Sequence, residues 1–335
     1  LLQAASIATP WNGQPLWWLQ LLGLGVLSWQ VNRAPNWRLS AWHGAVFACA
    51  WLCGTFWWLF ISMHTYGGLP AAMAVPAVLG LAAVLALYYA AACGLYAALA
   101  PSNRAGRSIL FAALWLLAEM ARGSWFTGFG WGGIGYAHVD GPLAAYAPWI
   151  GAYGLGAIAA WLVMTMVQLH KAHLWQGVAA LGVLALPLAI QIAAPFQSQS
   201  AGQLQVALLQ GNIPQDEKFQ AGTGVPMALR WYAEELAANQ AALVVAPETA
   251  IPLLPQQLPQ GYWDALSKRY SSGAQAALIG LPWGNYKEGY TNAVVGFKPG
   301  QDAPWRYDKH HLVPFGEFIP PLFKWFTEMM HIPLG

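Results

Sequence analysis

A chain of 335 residues leaves room for about two domains, but 57% of it is hydrophobic and only 8% charged, about one third of the charge of an average soluble protein. The net charge of +2 comes without any basic cluster, which argues against nucleic acid as a partner. Cys49, Cys53 and Cys93 lie in apolar stretches with no metal spacing and no pairing pattern, so they read as small buried thiols in helices rather than a disulfide framework.

No cleavable signal peptide is visible. The chain opens at Leu1 in what reads as the tail of an apolar segment, so an earlier N-terminus is expected. A membrane-crossing helix needs about 20 apolar residues. Six stretches approach that length, at 14–31, 41–63, 72–99, 108–122, 143–169 and 174–195. So many in succession are hard to bury without lipid, and a multi-pass α-helical membrane bundle is expected over 1–196.

Arg33 and Arg38 follow the first stretch, Arg104 and Arg107 the third, and Lys171 the fifth, whereas the loop at 64–71 has no Lys or Arg. Basic residues in alternate loops mark the cytoplasmic side. Six crossings then place everything after Ala194 outside the cytoplasm. Trp17, Trp18, Trp57, Trp58, Trp125 and Trp131 stand near helix ends, as interfacial tryptophans do. The loop at 123–142 is rich in Gly and aromatics, with Arg122 at its edge. It reads equally as an ordered interfacial connector or as a surface that holds lipid chains.

Between Leu1 and Gly202 the only acidic residues are Glu119 and Asp140; beyond Gln203 they are frequent. The Gln/Ser-rich segment 197–203 is therefore expected to link the bundle to a second domain over 204–335. There the pattern changes. Strands are predicted around 206–209, at 243–246, 276–281 and 292–297, with helices at 225–240 and 262–270. Alternation of this kind indicates a layered α/β domain, and short continuous apolar strands suggest that both faces of the sheet are covered.

Two places in this domain offer chemistry. Glu248 follows a buried strand and one proline, where α/β folds present functional groups. Partial burial there would raise its pKa and suit a general base, although a capping or ion-paired Glu is the plainer reading. The segment 307–320 (YDKHHLVPFGEFIP) gathers Lys309, His310, His311 and Glu317 into an otherwise weakly charged chain. An ammonium in a dry site can stabilise an oxyanion, though most lysines sit on surfaces. Glu317 could pair with Lys309 or with a substrate amine. His310 and His311 are adjacent, so on an extended segment they point opposite ways, and no further ligand set supports a metal. Tyr290 and Asn292 open a strand and read more simply as ordinary strand residues than as pocket lining. Phe323, Trp325, Phe326, Met329 and Met330 read as a core-packing helix or, slightly preferred, as an arm that dips into lipid.

At this point the residues carry a resemblance. VVAPETAIP (244–252) together with KHHLVPFGEFIP (309–320) resembles the nitrilase-type domain of the bacterial apolipoprotein N-acyltransferase family. QGNIPQ (210–215), TGFGW (127–131) and DGPL (140–143) extend the likeness over essentially the whole chain. The resemblance implies an αββα nitrilase-like domain, incomplete in this chain, on the periplasmic side of a bacterial inner-membrane bundle. It implies a Glu-Lys-Cys catalytic set, with Glu248 as general base, Lys309 as catalytic lysine and Glu317 as a further active-site carboxylate. The nucleophilic Cys is expected beyond Gly335, since Cys49, Cys53 and Cys93 fall in membrane stretches. Trp131, Tyr136, Phe219, Tyr290, Asn292 and Phe315 are the candidate substrate contacts, and Phe219 stands where the family pattern has a tryptophan.

The implied reaction passes through a thioester. It carries a fatty acyl chain from a phosphatidylethanolamine-like phospholipid to the N-terminal cysteine amine of a diacylglyceryl-modified lipoprotein, in the last step of that modification. No cofactor, no metal and a monomer are expected. Two other readings stay open. One is a membrane-fused amidase or nitrilase that hydrolyses C–N bonds. The other is a non-enzymatic lipid-binding or transport protein, for which Glu119 is the one ionisable candidate inside a span.

Overall fold

The computed structural model describes residues 1–169, 174–193, 200–313 and 317–318. The chain divides into two compact units, Leu1–Ser198 and Gln199–Gly335.

The first unit is helical. Its elements are α1 (Leu2–Ile7), α2 (Trp17–Arg33), α3 (Trp37–Thr55), α4 (Trp57–Ile61), α5 (Ala71–Leu99), α6 (Arg104–Ser124), α7 (Ala147–Val167) and α8 (Leu174–Ala193). Helices thus occupy all six apolar stretches. By length and composition, however, two described helical runs can cross a membrane, Ala71–Leu99 and Ala144–Val167, or three if the bent pair Trp37–Thr55 and Trp57–Tyr66 forms one broken span. The sequence reading expects six. The difference has a physical source: α2 is only 17 residues long, and α6 carries Arg104, Arg107, Glu119 and Arg122. Asn36 and Asn103 cap α3 and α6 by accepting the Leu39 and Gly106 amides.

α3 and α5 pack closely because small residues line their contact. A Cβ on Gly44 would stand 2.6 Å from the Tyr89 carbonyl oxygen, and Ser40 Oγ donates to the Cys93 carbonyl at 2.6 Å. Trp51, Tyr89, Phe111 and Trp115 fill the core. Within this core lies an ion pair that the sequence does not reveal, between Glu119 and Arg122 in the last two turns of α6. Both side chains are buried, one helical turn apart, with Arg122 Nη2 3.6 Å from Glu119 Oε1. Tyr89 Oη donates to Glu119 Oε1, and Arg122 Nε donates to Tyr89 Oη at 2.8 Å. Arg122 Nη1 donates to the carbonyls of Phe129 at 2.6 Å and Trp131 at 2.8 Å. The guanidinium therefore folds the loop after α6 back onto the bundle. The loop presents Trp125, Phe126 and Trp131 outward, and Phe126, with a φ of +53°, is 92% exposed.

The second unit holds β1 (Val206–Leu208), α9 (Gly224–Ala238), β2 (Leu243–Val245), α10 (Tyr262–Ser272), β3 (Ala276–Asn285), β4 (Gly289–Phe297) and β5 (Trp305–Asp308). The sheet runs in the order β1-β2-β3-β4-β5, parallel across β1, β2 and β3 and antiparallel from β3 through β5. The strands and helices predicted for this domain are present. β5 is an addition, since the predicted strands end at 297.

Registry separates the two faces. Val244, Ala277, Ile279, Leu281, Val295 and Phe297 lie buried with Leu229, Tyr232, Leu236, Leu266 and Tyr270 from α9 and α10. Each of the Val, Leu, Ile and Phe side chains among them contributes about 1.5–3 kcal/mol through burial. Tyr262 and Tyr270 tie the helices together by donating to the carbonyls of Leu229 and Leu236, each at 2.9 Å. The opposite face is more open. Among the described residues it displays Val206, Leu208, Trp305 and Tyr307 exposed, and Leu208 is 77% accessible.

Candidate active site

β2 delivers Glu248. The Ala246 amide still bonds Leu278 O at 2.8 Å, and Pro247 then ends the ladder. A tight turn follows, closed by Ala250 N–H to Pro247 O at 3.1 Å and Ile251 N–H to Gly280 O at 3.2 Å. Thr249 takes a φ of +51° to make it. Gly280 of β3 lies directly beneath: a Cβ there would come within 2.3 Å of Pro247 O and 2.7 Å of Glu248 Cα. The turn carries Glu248 past the strand end, and its side chain is 59% exposed.

The β4–β5 pair delivers Asn292 and Lys309. Ala293 partners Asp308 in the ladder, so Asn292 and Lys309 occupy the next rung, joined by Lys309 N–H to Asn292 O at 2.8 Å. Glu317 comes back from the following loop. Its amide bonds Val313 O at 2.9 Å, and its Oε2 accepts the Val313 amide at 2.7 Å.

These elements converge. Lys309 Nζ donates to Glu248 Oε1 at 3.0 Å and to Glu317 Oε1 at 2.9 Å. Asn292 Nδ2 donates to the same Glu248 oxygen and, at 2.8 Å, to the same Glu317 oxygen. Burial works against the Lys309 charge, but hydrogen bonds and attraction from Glu317 and Glu248 outweigh it, and its pKa lies above the usual lysine value. Burial also disfavours the Glu317 carboxylate. The Val313 amide, Asn292 and Lys309 reverse that and hold its pKa below the usual value. The cluster is thus an ammonium fixed between two carboxylates, one half-exposed and the other saturated with donors.

Of the candidate residues, Glu248, Lys309, Glu317 and Asn292 come together. Tyr290 lies two residues before Asn292 on the same strand face, half-exposed, with its ring against Tyr286. Phe219 is 62% exposed on the turn before α9. Trp131 and Tyr136 belong to the loop of the first unit, both exposed. Phe315 and the 323–330 segment lie outside the described residues. His310 and His311 do not point apart: the chain bends after β5, and their rings meet edge to face at 4.9 Å. No group of metal-ligating side chains occurs among the described residues.

Sequence reasoning passes over one residue, Lys218. Its Nζ donates to the Glu248 backbone carbonyl at 3.2 Å. Burial lowers its pKa, with the Glu248 charge acting the other way. The available signal was its place just after the 210–215 segment.

Fold and site together describe an α/β unit with a carboxylate–lysine centre, joined in one chain to a helical unit able to cross a membrane. A family model described as the apolipoprotein N-acyltransferase N-terminal domain matches residues 4–165. Apolipoprotein N-acyltransferase of Verminephrobacter eiseniae is 56% identical over 352 residues, covering 100% of this chain and 66% of the relative. That of Ralstonia nicotianae is 44% identical over 325 residues, covering 95% and 62%. That of Neisseria meningitidis serogroup A is 30% identical over 355 residues, covering 100% and 68%. The chain belongs to the apolipoprotein N-acyltransferase family. It spans about two thirds of the length of these curated relatives.

Proposed function

We propose that this chain supplies the membrane bundle and the base-and-lysine part of an enzyme that transfers a fatty acyl chain from a phosphatidylethanolamine-like phospholipid to the α-amine of a lipoprotein's N-terminal, diacylglyceryl-modified cysteine. The observation that carries this reading is the Lys309 ammonium bonded at once to Glu248 and Glu317. The αββα nitrilase-like reading finds support in the exposed apolar face of the sheet, which Asn292 shares by register. A second sheet stacked there would cover Leu208 and Trp305. The basic residues at the ends of α2, α3 and α6 support an extracytoplasmic, periplasmic second unit.

Glu248 accepts the proton of a cysteine thiol, because the thiolate is the nucleophile. That cysteine comes from the family pattern; Cys49, Cys53 and Cys93 lie in α3 and α5 of the first unit. Sulfur attacks the ester carbonyl carbon, and the new oxyanion faces the Lys309 ammonium. Collapse breaks the C–O bond, and Glu248 returns its proton to the departing lysophospholipid alkoxide. In the second half-reaction the acceptor amine attacks the thioester. A C–N bond forms, the C–S bond breaks, and the amine proton passes through Glu248 back to sulfur. Splitting one transfer into two gives ping-pong behaviour.

The test uses the intact protein with Glu248→Gln and Lys309→Met, a diacylated lipopeptide and phosphatidylethanolamine, read by mass spectrometry. Wild type should place the acyl group on the α-amine, and both variants should lose the transfer. Free fatty acid without acylated peptide would instead favour the hydrolase. Full transfer by either variant would remove that residue from the mechanism.

A further inference from the structure

We infer that Lys218 is a positioning residue of this site, acting through the Glu248 main chain; the inference rests on the acyltransferase reading above. Its ammonium meets the Glu248 carbonyl oxygen at 3.2 Å and touches neither carboxylate of the cluster through a hydrogen bond.

Both ends of that contact are held rigidly. On the lysine side, the amides of Glu217 and Lys218 bond Pro214 O at 3.1 and 2.9 Å, and Gln220 N–H bonds Glu217 O at 2.7 Å. Gly224, at the start of α9, packs so tightly that a Cβ would lie 2.0 Å from the Glu217 carbonyl oxygen. On the receiving side, Gly280 admits the Pro247–Glu248 backbone where no larger residue could stand. Thr249 holds a left-handed conformation that a β-branched residue keeps only when its surroundings over-determine it. The amides of Ala250 and Ile251 close the turn from one direction. Lys218 grips the Glu248 carbonyl from another. The ammonium also lies 5.7 Å above the Phe219 ring, a contact that steadies the head group.

This arrangement has a catalytic reason. Glu248 is half-exposed on a turn, and a general base displaced by about 1 Å forfeits on the order of 10²-fold in rate. Lys309 and Asn292 fix the end of the Glu248 side chain. Lys218 fixes its root. A carboxylate held at root and tip presents its remaining oxygen to an incoming thiol in one orientation.

The experiment compares Lys218→Met, Lys218→Arg and Lys309→Met in the intact protein. Steady-state acyl transfer from phosphatidylethanolamine to a diacylated lipopeptide is measured beside amide hydrogen exchange over 247–252. Lys218→Met should lower kcat about 10- to 100-fold, with KM for the phospholipid changed by no more than about threefold. Exchange over 247–252 should quicken. Lys218→Arg, which can still donate to the carbonyl, should recover most of the activity and the slow exchange. Wild-type kcat in Lys218→Met would overturn the inference. So would a lost kcat with unchanged exchange, or an arginine variant no better than methionine. Absence of transfer by the wild-type protein would overturn the acyl-transfer reading itself, and the catalytic half of this inference with it; full transfer by Lys309→Met would remove that lysine from the mechanism, and with it the contact at the carboxylate tip on which the catalytic half rests.

Discussion

Glu248 and Glu317 share the same two donors: the Lys309 ammonium and the Asn292 amide each bond Oε1 of both carboxylates. Two like charges that converge on one point repel unless a cation lies between them. Here the cation is Lys309, and Asn292 adds a second bridge without adding charge.

Asn292 should therefore tolerate no acid. Asn292→Asp brings a third carboxylate to the point where two already meet, and acyl transfer should fall on the order of 10²-fold or more. Asn292→Ala keeps the charge balance and should lose less. A transfer assay on both variants checks the order; an aspartate variant as active as wild type would break the argument.

The cluster should also set a pH window for stability. The Glu317 pKa lies below its ordinary 4.5, so its contribution is complete above that value and is lost as pH falls through the lowered one. The Lys309 pKa lies above its ordinary 10.5, so its contribution is complete below that value and is lost as pH rises through the raised one. The stability difference between wild type and Lys309→Met should be flat from about pH 5 to about pH 10 and shrink outside those limits. Denaturant titrations across that range test it, and a difference that grows in acid would contradict the assignment.

Gly280→Ala should damage the site more than the fold. The added methyl meets Pro247 O and Glu248 Cα, and overpacking of this kind costs about 1–3 kcal/mol. The turn must shift, taking Glu248 from Lys309. Loss of transfer with a melting temperature lowered by only a few degrees is the expected pattern. Unchanged activity would mean that the turn can move without consequence.

In the helical unit, Arg122→Met strands Glu119 without its cation and leaves the Phe129 and Trp131 carbonyls without their donor. Removing one member of a buried pair costs about 3–5 kcal/mol. Thermal unfolding in detergent should show the drop, and adding Glu119→Gln to Arg122→Met should recover part of it. If the double variant is no better than the single one, the pair is not coupled.

Much of this was legible in the sequence. The strands 243–246 and 276–281 carry short apolar runs bounded by Pro, Gly and Gln, and these signals are local. Lys309 and Glu317 stood out because charge is scarce in this chain. Asn292 read as an ordinary strand residue, because only the β4–β5 register puts it beside Lys309. Lys218 was passed over for a similar reason: its partner is a backbone carbonyl, and only its place after the 210–215 segment pointed to it. The exposure of Glu248 depends on a turn whose sharpness comes from Gly280, on another strand. The inward turn of Arg122 depends on carbonyls in the loop that follows it.

The pairing of β5 with β4 also guards against a particular error. Asp308 sits across from Ala293, held on the far face by Thr291 and Arg306. Sliding β5 by a single residue would exchange faces, withdrawing the ammonium and sending the Asp308 carboxylate toward Glu248 and Glu317. Three negative charges would then crowd one spot with no cation among them. The misaligned hairpin is thus penalised by the same electrostatics that the aligned one uses, and the strand's alignment is enforced at the place where an error would matter most.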